Sequence, residues 1–478
     1  MTSTTTGRIS PVQALGLALA GVLLVGGYVV EIAAIPDERI RLVLAVFIAT
    51  VILWITKPVP YEVSSVLCVI LLYGLGLADT FTDAVIGFAS TLIFFFLLLL
   101  LIGMSISKVD LDQWMASRLV SATSTPRSSI RRLTGTVLFL AFVMPSGLAR
   151  TVTFIPVIDQ INDLYNLGED SMFSRLSYYM VGHLNPIASV TVMTGGGMAV
   201  VTAELINAMV RPITWVEWVV YMGPPVIVLF ITSMIIASRF YPVADRGTID
   251  DTDVAATTNH DGEIEPLSRD QQIVISVLFL AIIAWVIGSF VGVPAIIPAM
   301  GAVFILALPT VEIITADEFK SLSWGIIFLI ATMLSILEVM QDLAAFEFII
   351  EATLSGFNVE QLGVLMLVVL LVFCVAVRAT FSSPAASMAI LLPIVLEFSG
   401  VLGYNELFLS FSLMVVMVSA TFMPINLATV LVAYEAGPLT LREVFLLGIL
   451  TLLVAITIVA GSWLLYWPFV DLFLAGIF

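Results

Sequence analysis

Charge is what this sequence has least of. Asp, Glu, Lys and Arg make up 11% of 478 residues, against roughly a quarter in soluble domains. That excludes an aqueous globular body. With 60% hydrophobic residues and a mean hydropathy of +1.13, the chain belongs in a bilayer. Basic residues are scarcer still. The 18 Lys and Arg face 35 Asp and Glu, and the net charge of −17 excludes a nucleic-acid footprint. Cysteine and histidine are nearly absent. Cys68 and Cys374 sit alone inside apolar runs, and His183 and His260 are far apart, so no zinc or haem framework exists. No Ser/His/Asp grouping or nucleotide loop stands out. Neither an enzyme nor an organic cofactor is expected.

What the chain does have is long apolar runs. At roughly 20 residues per crossing, spans are expected at 11–35, 39–57, 60–78, 86–107, 176–210, 215–241, 271–292, 295–310, 323–340, 407–433 and 443–469. The first run exceeds the roughly 7–15-residue core of a signal peptide and reads as a retained helix. The fold class is an all-α polytopic membrane protein of about eleven transmembrane helices, because lipid leaves backbone groups no partner outside a helix.

Two interruptions organise these runs. Pro145, Ser146 and Gly147 break the apolar stretch ending at Pro156; Ser382, Ser383 and Pro384 break the one ending at Pro393. With Pro156 laid on Pro393, Ser146 falls on Ser383 and Gly147 on Pro384. Each break is flanked by short arms, 133–144 and 148–161 in one case and 361–378 and 385–396 in the other, as in a re-entrant hairpin. Matching polar tips in two halves of a membrane chain point to a site between inverted repeats. The expected division is an extra N-terminal helix (1–36), a first repeat (37–241) with an inner hairpin (133–161), an acidic linker (242–270), and a second repeat (271–478) with an outer hairpin (361–397). A helical segment is also expected near 111–120.

Charge placement agrees with that topology. With 108–132 in the cytoplasm, only Arg39, Arg41 and Arg211 fall outside, and Arg150 and Arg378 are left within the membrane. The counterpart of the basic segment, Gln341 to Gln361, carries no Lys or Arg, as an outward-facing copy requires. The N-terminus and the linker are then cytoplasmic, and the location is a plasma membrane.

Arg150 is the sharpest single signal. An intramembrane arginine must be paired or face water, and a guanidinium suits a carboxylate or other oxyanion. An ion pair with Asp159 or Glu204 is the alternative. Thr194-Gly195-Gly196-Gly197 and Pro424-Ile425-Asn426 interrupt later helices and would form the facing wall. The candidate anion-binding residues are Ser146, Gly147, Leu148, Arg150, Thr151, Thr194, Ser383, Pro384, Ala385 and Asn426. Hydroxyls and freed carbonyls at Ser146, Gly147, Gly195, Gly196, Thr380, Ser382, Ser383 and Pro424 are candidate sodium ligands. The expected partners are a small anion, coupling sodium ions and the lipid bilayer.

These motifs resemble the divalent anion:sodium symporter family, solute carrier family thirteen and its bacterial and plastid relatives. Trp54-Ile55-Thr56-Lys57-Pro58-Val59-Pro60 is similar to that family's Trp-Ile-Thr-Glu-Pro-Ile-Pro, with Lys57 in place of Glu. Ser146 and Ser383 match the Ser of the family's Ser-Asn-Thr tips, and Ile155-Pro156 and Leu392-Pro393 match the pair that follows. Pro145 to Arg150 is most like the Pro-Ser-x-x-Ala-Arg of the plastid oxoglutarate/malate translocator branch. The tip Asn is replaced by Gly147 and Pro384, and the tip Thr by Leu148 and Ala385. The resemblance implies a homodimeric secondary transporter working by an elevator motion, with sodium-coupled symport of a dicarboxylate, sulfate or similar oxyanion. Anion exchange, or cation/proton antiport on the same fold, is the alternative that the altered tips leave open.

Overall fold

The computed structural model describes residues 10–30, 35, 37–111, 114, 125–144, 146–244, 266–354 and 359–474. Every regular element among them is helical. The expected helix near 111–120, Pro145 and most of the acidic linker fall largely or wholly outside the described residues. Seven helices are long and apolar enough to cross a bilayer: Pro11–Val29, Glu38–Thr56, Thr91–Lys108, Trp215–Phe240, Arg269–Val291, Trp324–Asp342 and Leu441–Leu474.

Two expected crossings are shorter than the hydropathy runs suggest. Tyr61–Gly74 has 14 residues and Ile296–Leu306 has 11. At about 1.5 Å per residue they reach about 21 and 16 Å, short of the roughly 30 Å hydrocarbon core. Both end in a turn in which two successive amides close on one carbonyl, the second turn being two residues longer. The amides of Leu77 and Ala78 donate to Leu72 O, and those of Ile313 and Ile314 donate to Leu306 O. A capping box then starts a short polar helix in each case, Thr80 with Asp83 and Thr315 with Glu318. The apolar run continues past the last helical residue, which is why hydropathy alone overshoots.

The hairpin arms differ in the opposite direction. The first hairpin is Pro126–Val143 and Gly147–Leu164, 18 residues each. Thr125 caps the first arm in a box with Ser128, and Pro126 supplies the fixed φ of a first turn, so the helix begins seven residues before the apolar run at 133. The second hairpin is Val359–Arg378 and Pro384–Leu402.

By packing, the chain divides into two units. The first comprises residues 1–93, 323–368 and 400–402. Small residues let its helices approach closely: a Cβ on Gly27 would lie 2.6 Å from Ala45 Cβ, and one on Gly87 would lie 2.0 Å from Ala331 O. Gly87 N–H also donates to Ser335 Oγ at 3.0 Å. Arg39 closes the turn after Tyr61–Gly74 by donating to Gly76 O and Leu77 O.

The second unit, residues 94–322, 369–399 and 403–478, carries both hairpin tips. An aromatic cluster sits within its largely aliphatic core. Trp218, Tyr221, Phe408, Phe411, Trp463 and Trp467 pack edge-on or tilted, with centroids 5.4 to 6.5 Å apart. Such pairs contribute roughly 0.5–1.5 kcal/mol each beyond burial. Trp467 Nε1 finishes the cluster by donating to Tyr221 O at 3.0 Å.

Candidate functional site: two hairpin tips and a cavity at the first

Ser146 and Ser383 do the same local work. Each stands at the N-cap of its second arm, in extended backbone. Ser146 Oγ accepts from Ala149 N at 3.2 Å, and Ser383 Oγ accepts from Ala386 N at 3.3 Å. Pro156 and Pro393 lie inside those arms. Both tips therefore expose a helix N-terminus, the end that favours an anion.

The helix facing the first tip is broken. It runs Met172–Tyr179, makes a π-turn over Met180–Leu184, continues to Ser189, and restarts at Gly197–Met209. The break folds tightly on Ser189. A Cβ on Gly195 would lie 2.1 Å from Ser189 O, and one on Gly147 3.3 Å from Ser189 Oγ. Gly196 caps the restarted helix without a side-chain bond, which leaves its first amides free of a capping group.

Ser146, Gly147, Gly196 and Gly197 line one cavity of about 570 Å³. Its remaining wall is Leu99, Leu100, Gly103, Met104, Ser107, Lys108 and Glu318. Two helix N-termini thus border the same space. Ala385, the residue after Pro384 on the second tip, lies 3.8 Å from the position a Gly197 Cβ would take.

Arg150 is fully buried and bonded to protein oxygens. It donates to Asn185 Oδ1 (2.7 Å), Met144 O (2.7 Å), Leu140 O (3.2 Å), Asn185 O (3.4 Å) and Ser189 Oγ. Asn185 in turn donates to Gly147 O at 2.7 Å and Thr151 Oγ1 at 2.9 Å. Thr151 Oγ1 donates to Val181 O at 2.7 Å. The alternative of an ion pair with Asp159 or Glu204 is not what the structure shows: neither acid is among Arg150's partners, and Asp159 accepts from Tyr178 OH. Glu204 accepts from Asn207 Nδ2.

The second tip has a comparable clasp. Arg378, also fully buried, donates to Phe381 O (2.8 Å), Asn426 O (3.0 Å) and Met417 O (3.2 Å). Asn426 Nδ2 donates to Ala379 O at 2.6 Å, and its Oδ1 accepts from Phe422 N and Met423 N. In each half an arginine on the hairpin and an asparagine on the broken helix hold the two together. The two arginines do not occupy equivalent positions: Arg150 follows its tip and Arg378 precedes its own.

The remaining candidates scatter. Thr194 is turned to Trp215, whose Nε1 donates to its hydroxyl at 3.2 Å. Leu148 is 42% exposed. Thr380 and Ser382 are exposed at the second tip, Thr380 bonding back to Val377 O, and Pro424 is buried in a 3-10 turn. Four residues that matter here carry no expectation as site residues from the sequence: Asn185, Ser189, Lys108 and Glu318. Asn185 and Ser189 stand one helical turn apart beside Pro186, and that polar pair in an apolar helix was the available signal.

Lys108 and Glu318 form a 2.7 Å salt bridge on the cavity wall. Burial pushes the Glu318 carboxyl up, but the Lys108 ammonium and Thr315 outweigh it and hold it at about 2. A lowered folded value stabilises above the ordinary carboxylate pKa and is lost as pH falls through the folded one. Glu318→Gln is therefore expected to lower the melting midpoint at pH 6, with the gap from the parent closing between 4.5 and about 2. Thermal unfolding across that range checks it.

Residues 19–473 match the family described as "Sodium:sulfate symporter transmembrane region". The chain is similar to a "Membrane protein" of Cupriavidus necator, 22% identical over 374 residues, covering 74% of this chain and 72% of that one. It is similar to "Dicarboxylate transporter 2.1, chloroplastic" of Arabidopsis thaliana, 24% identical over 174 residues, 35% of this chain and 31% of that one. It is also similar to "Inner membrane protein YbhI" of Escherichia coli, 22% identical over 280 residues, 56% of each. A match spanning nearly the whole chain, on an all-helical body with several bilayer-length helices, makes this polytopic protein a member of the sodium:sulfate symporter family, an anion transporter and not an enzyme.

Proposed function

We propose that the protein is a sodium-coupled symporter of a small oxyanion or dicarboxylate, working by alternating access. The observation that carries this reading is the cavity of about 570 Å³ bordered by the N-termini of Gly147–Leu164 and Gly197–Met209. Two sets of helix-end amides would complement a divalent anion, while the charge of Lys108 on the cavity wall is balanced by Glu318. Ser146, with the backbone of Gly147, Gly195 and Gly196, would hold one sodium ion. Thr380, Ser382, Ser383 and Pro424 would hold another at the second tip. Arg150 would act as a positioning residue, fixing Asn185 and Ser189 behind the first tip.

Family membership supports a homodimer with an elevator motion of the body that carries both tips. The paired capping boxes and the Ser-capped arms support two inverted repeats. The plasma membrane, with the N-terminus and linker cytoplasmic, follows the charge distribution. Sulfate and dicarboxylates are the substrate classes that the family description and the chloroplast relative's name suggest.

One observation favours exchange instead. A tethered cation already stands beside each tip, Arg150 on Met144 O and Asn185 O and Arg378 on Phe381 O and Asn426 O. Proteoliposome uptake with sulfate, phosphate, malate, succinate and citrate separates the two. Symport predicts uptake that rises with an inward sodium gradient and stops without sodium. Uptake indifferent to sodium but driven by internal anion would replace symport with exchange.

A further inference from the structure

A carboxylate on the wall of an anion cavity works against the guest, and Glu318 is such a carboxylate. Its two oxygens have separate tasks. Oε2 accepts from Thr315 N at 2.6 Å and from Thr315 Oγ1 at 2.7 Å, closing the capping box of Ala316–Lys320. Oε1 stands 2.7 Å from Lys108 Nζ. A glutamine completes a capping box as well as a glutamate does, so the local fold does not account for the charge.

The place of the pair in the cavity does. Leu99, Leu100, Gly103, Met104, Ser107 and Lys108 share one face of Thr91–Lys108 and line the cavity over about 14 Å. Gly197, where the broken helix restarts, packs near the beginning of that face: a Cβ there would lie 3.0 Å from Phe96 Cε2. Lys108 ends the same helix, about 18 Å beyond Phe96 along its axis. Its side chain is 37% exposed. The salt bridge thus stands at the more exposed end of the cavity, away from Gly197. We propose, resting on the anion-binding reading of this cavity, that Glu318 is a specificity-determining residue: by cancelling Lys108 at the mouth, it limits how much negative charge the cavity admits. One unit charge at about 10 Å changes the affinity for each charge of a guest by about twofold in the dielectric of water, and by about fifteenfold in that near a protein surface. With residue 318 neutral, Lys108 would favour a trivalent guest over a divalent one by a factor within that range.

The test places Ser146→Cys in the full-length protein and compares two thiol reagents, the anionic sulfonatoethyl and the cationic trimethylammonioethyl methanethiosulfonate. Each variant is its own reference, so a misfolded fraction cancels from the ratio of the two rates. Glu318→Gln raises the anionic-to-cationic ratio by about fivefold, and Lys108→Gln lowers it by a similar factor. The double variant and Glu318→Asp keep the parent's ratio. High salt shrinks both shifts, because it screens charges about 10 Å apart. A merely structural disturbance would not change sign between the two single variants. Protection of the same thiol by citrate and by succinate reads the consequence for guests: in Glu318→Gln, citrate gains about threefold over succinate. Reagent ratios that shift as expected while neither anion protects would count against the anion site and uphold the charge filter. A reagent ratio that neither single variant moves, or that both move in one direction, would overturn the proposal. So would protection in which citrate gains nothing over succinate.

Discussion

Gly195→Ala abolishes anion uptake, lowering it by about 100-fold or more, while Gly135→Ala leaves uptake unchanged. The new methyl at residue 195 would stand 2.1 Å from Ser189 O, a contact that backbone cannot accommodate in place. Ser189 must move, and with it the oxygen that accepts from Arg150 and the wall beside Gly147. A tip displaced by about 1 Å loses the geometry on which transport depends. Gly135 is the control because a Cβ there meets nothing within 4 Å. In a helix interior it should add slightly to stability, by about 0.4–1 kcal/mol. Initial uptake rates, with melting midpoints to confirm folding, check the pair.

Arg150→Met destabilises the protein by about 2–6 kcal/mol and eliminates uptake. Of Arg150's five acceptors, Leu140 O and Asn185 O keep another donor, and the two with the shortest backbone and amide bonds, Met144 O and Asn185 Oδ1, cost roughly 1–3 kcal/mol each when stripped. A direct anion ligand would also fail on removal, so the informative partner is Asn185→Leu. Leucine cannot hold Gly147 O or Thr151 Oγ1 and removes the acceptor of Arg150 Nε, yet it keeps the guanidinium itself and its backbone acceptors Met144 O, Leu140 O and Asn185 O. If Arg150 acts through the clasp, Asn185→Leu loses uptake to the same degree as Arg150→Met. If Arg150 binds the anion itself, Asn185→Leu retains uptake with the parent's apparent affinity. A double-mutant cycle on the unfolding free energy should show coupling between the two sites.

The sequence made the tips legible because their chemistry is local. Pro145, Ser146 and Gly147 interrupt an apolar run within three residues, and the N-cap role of a serine follows from its type and place. The glycine run at 195–197 announces a break for the same reason. Arg150 was legible as an anomaly, since any buried charge needs an explanation, but not in its partners. Asn185 and Ser189 lie far along the chain, and their role depends on how the broken helix folds back beneath the first tip. Lys108 reads as one more basic residue beside a basic segment, and Glu318 as part of a capping box. Only the fold brings them together on the cavity wall. Helix ends were misjudged wherever hydropathy and capping disagree, as at Gly74 and Leu306, where the apolar run outlasts the helix.

The account stands on the cavity at the first hairpin tip being where the anion binds. Cys68 and Cys374 are both buried, so a cysteine placed at residue 146 would be the accessible thiol. The rate at which a membrane-impermeant maleimide labels Ser146→Cys should be measured with sodium and the anion that the protein takes up. Labelling slowed several-fold by that anion, and unaffected by one that is not transported, is the predicted result. A rate that the transported anion leaves unchanged would place the substrate elsewhere and contradict the account.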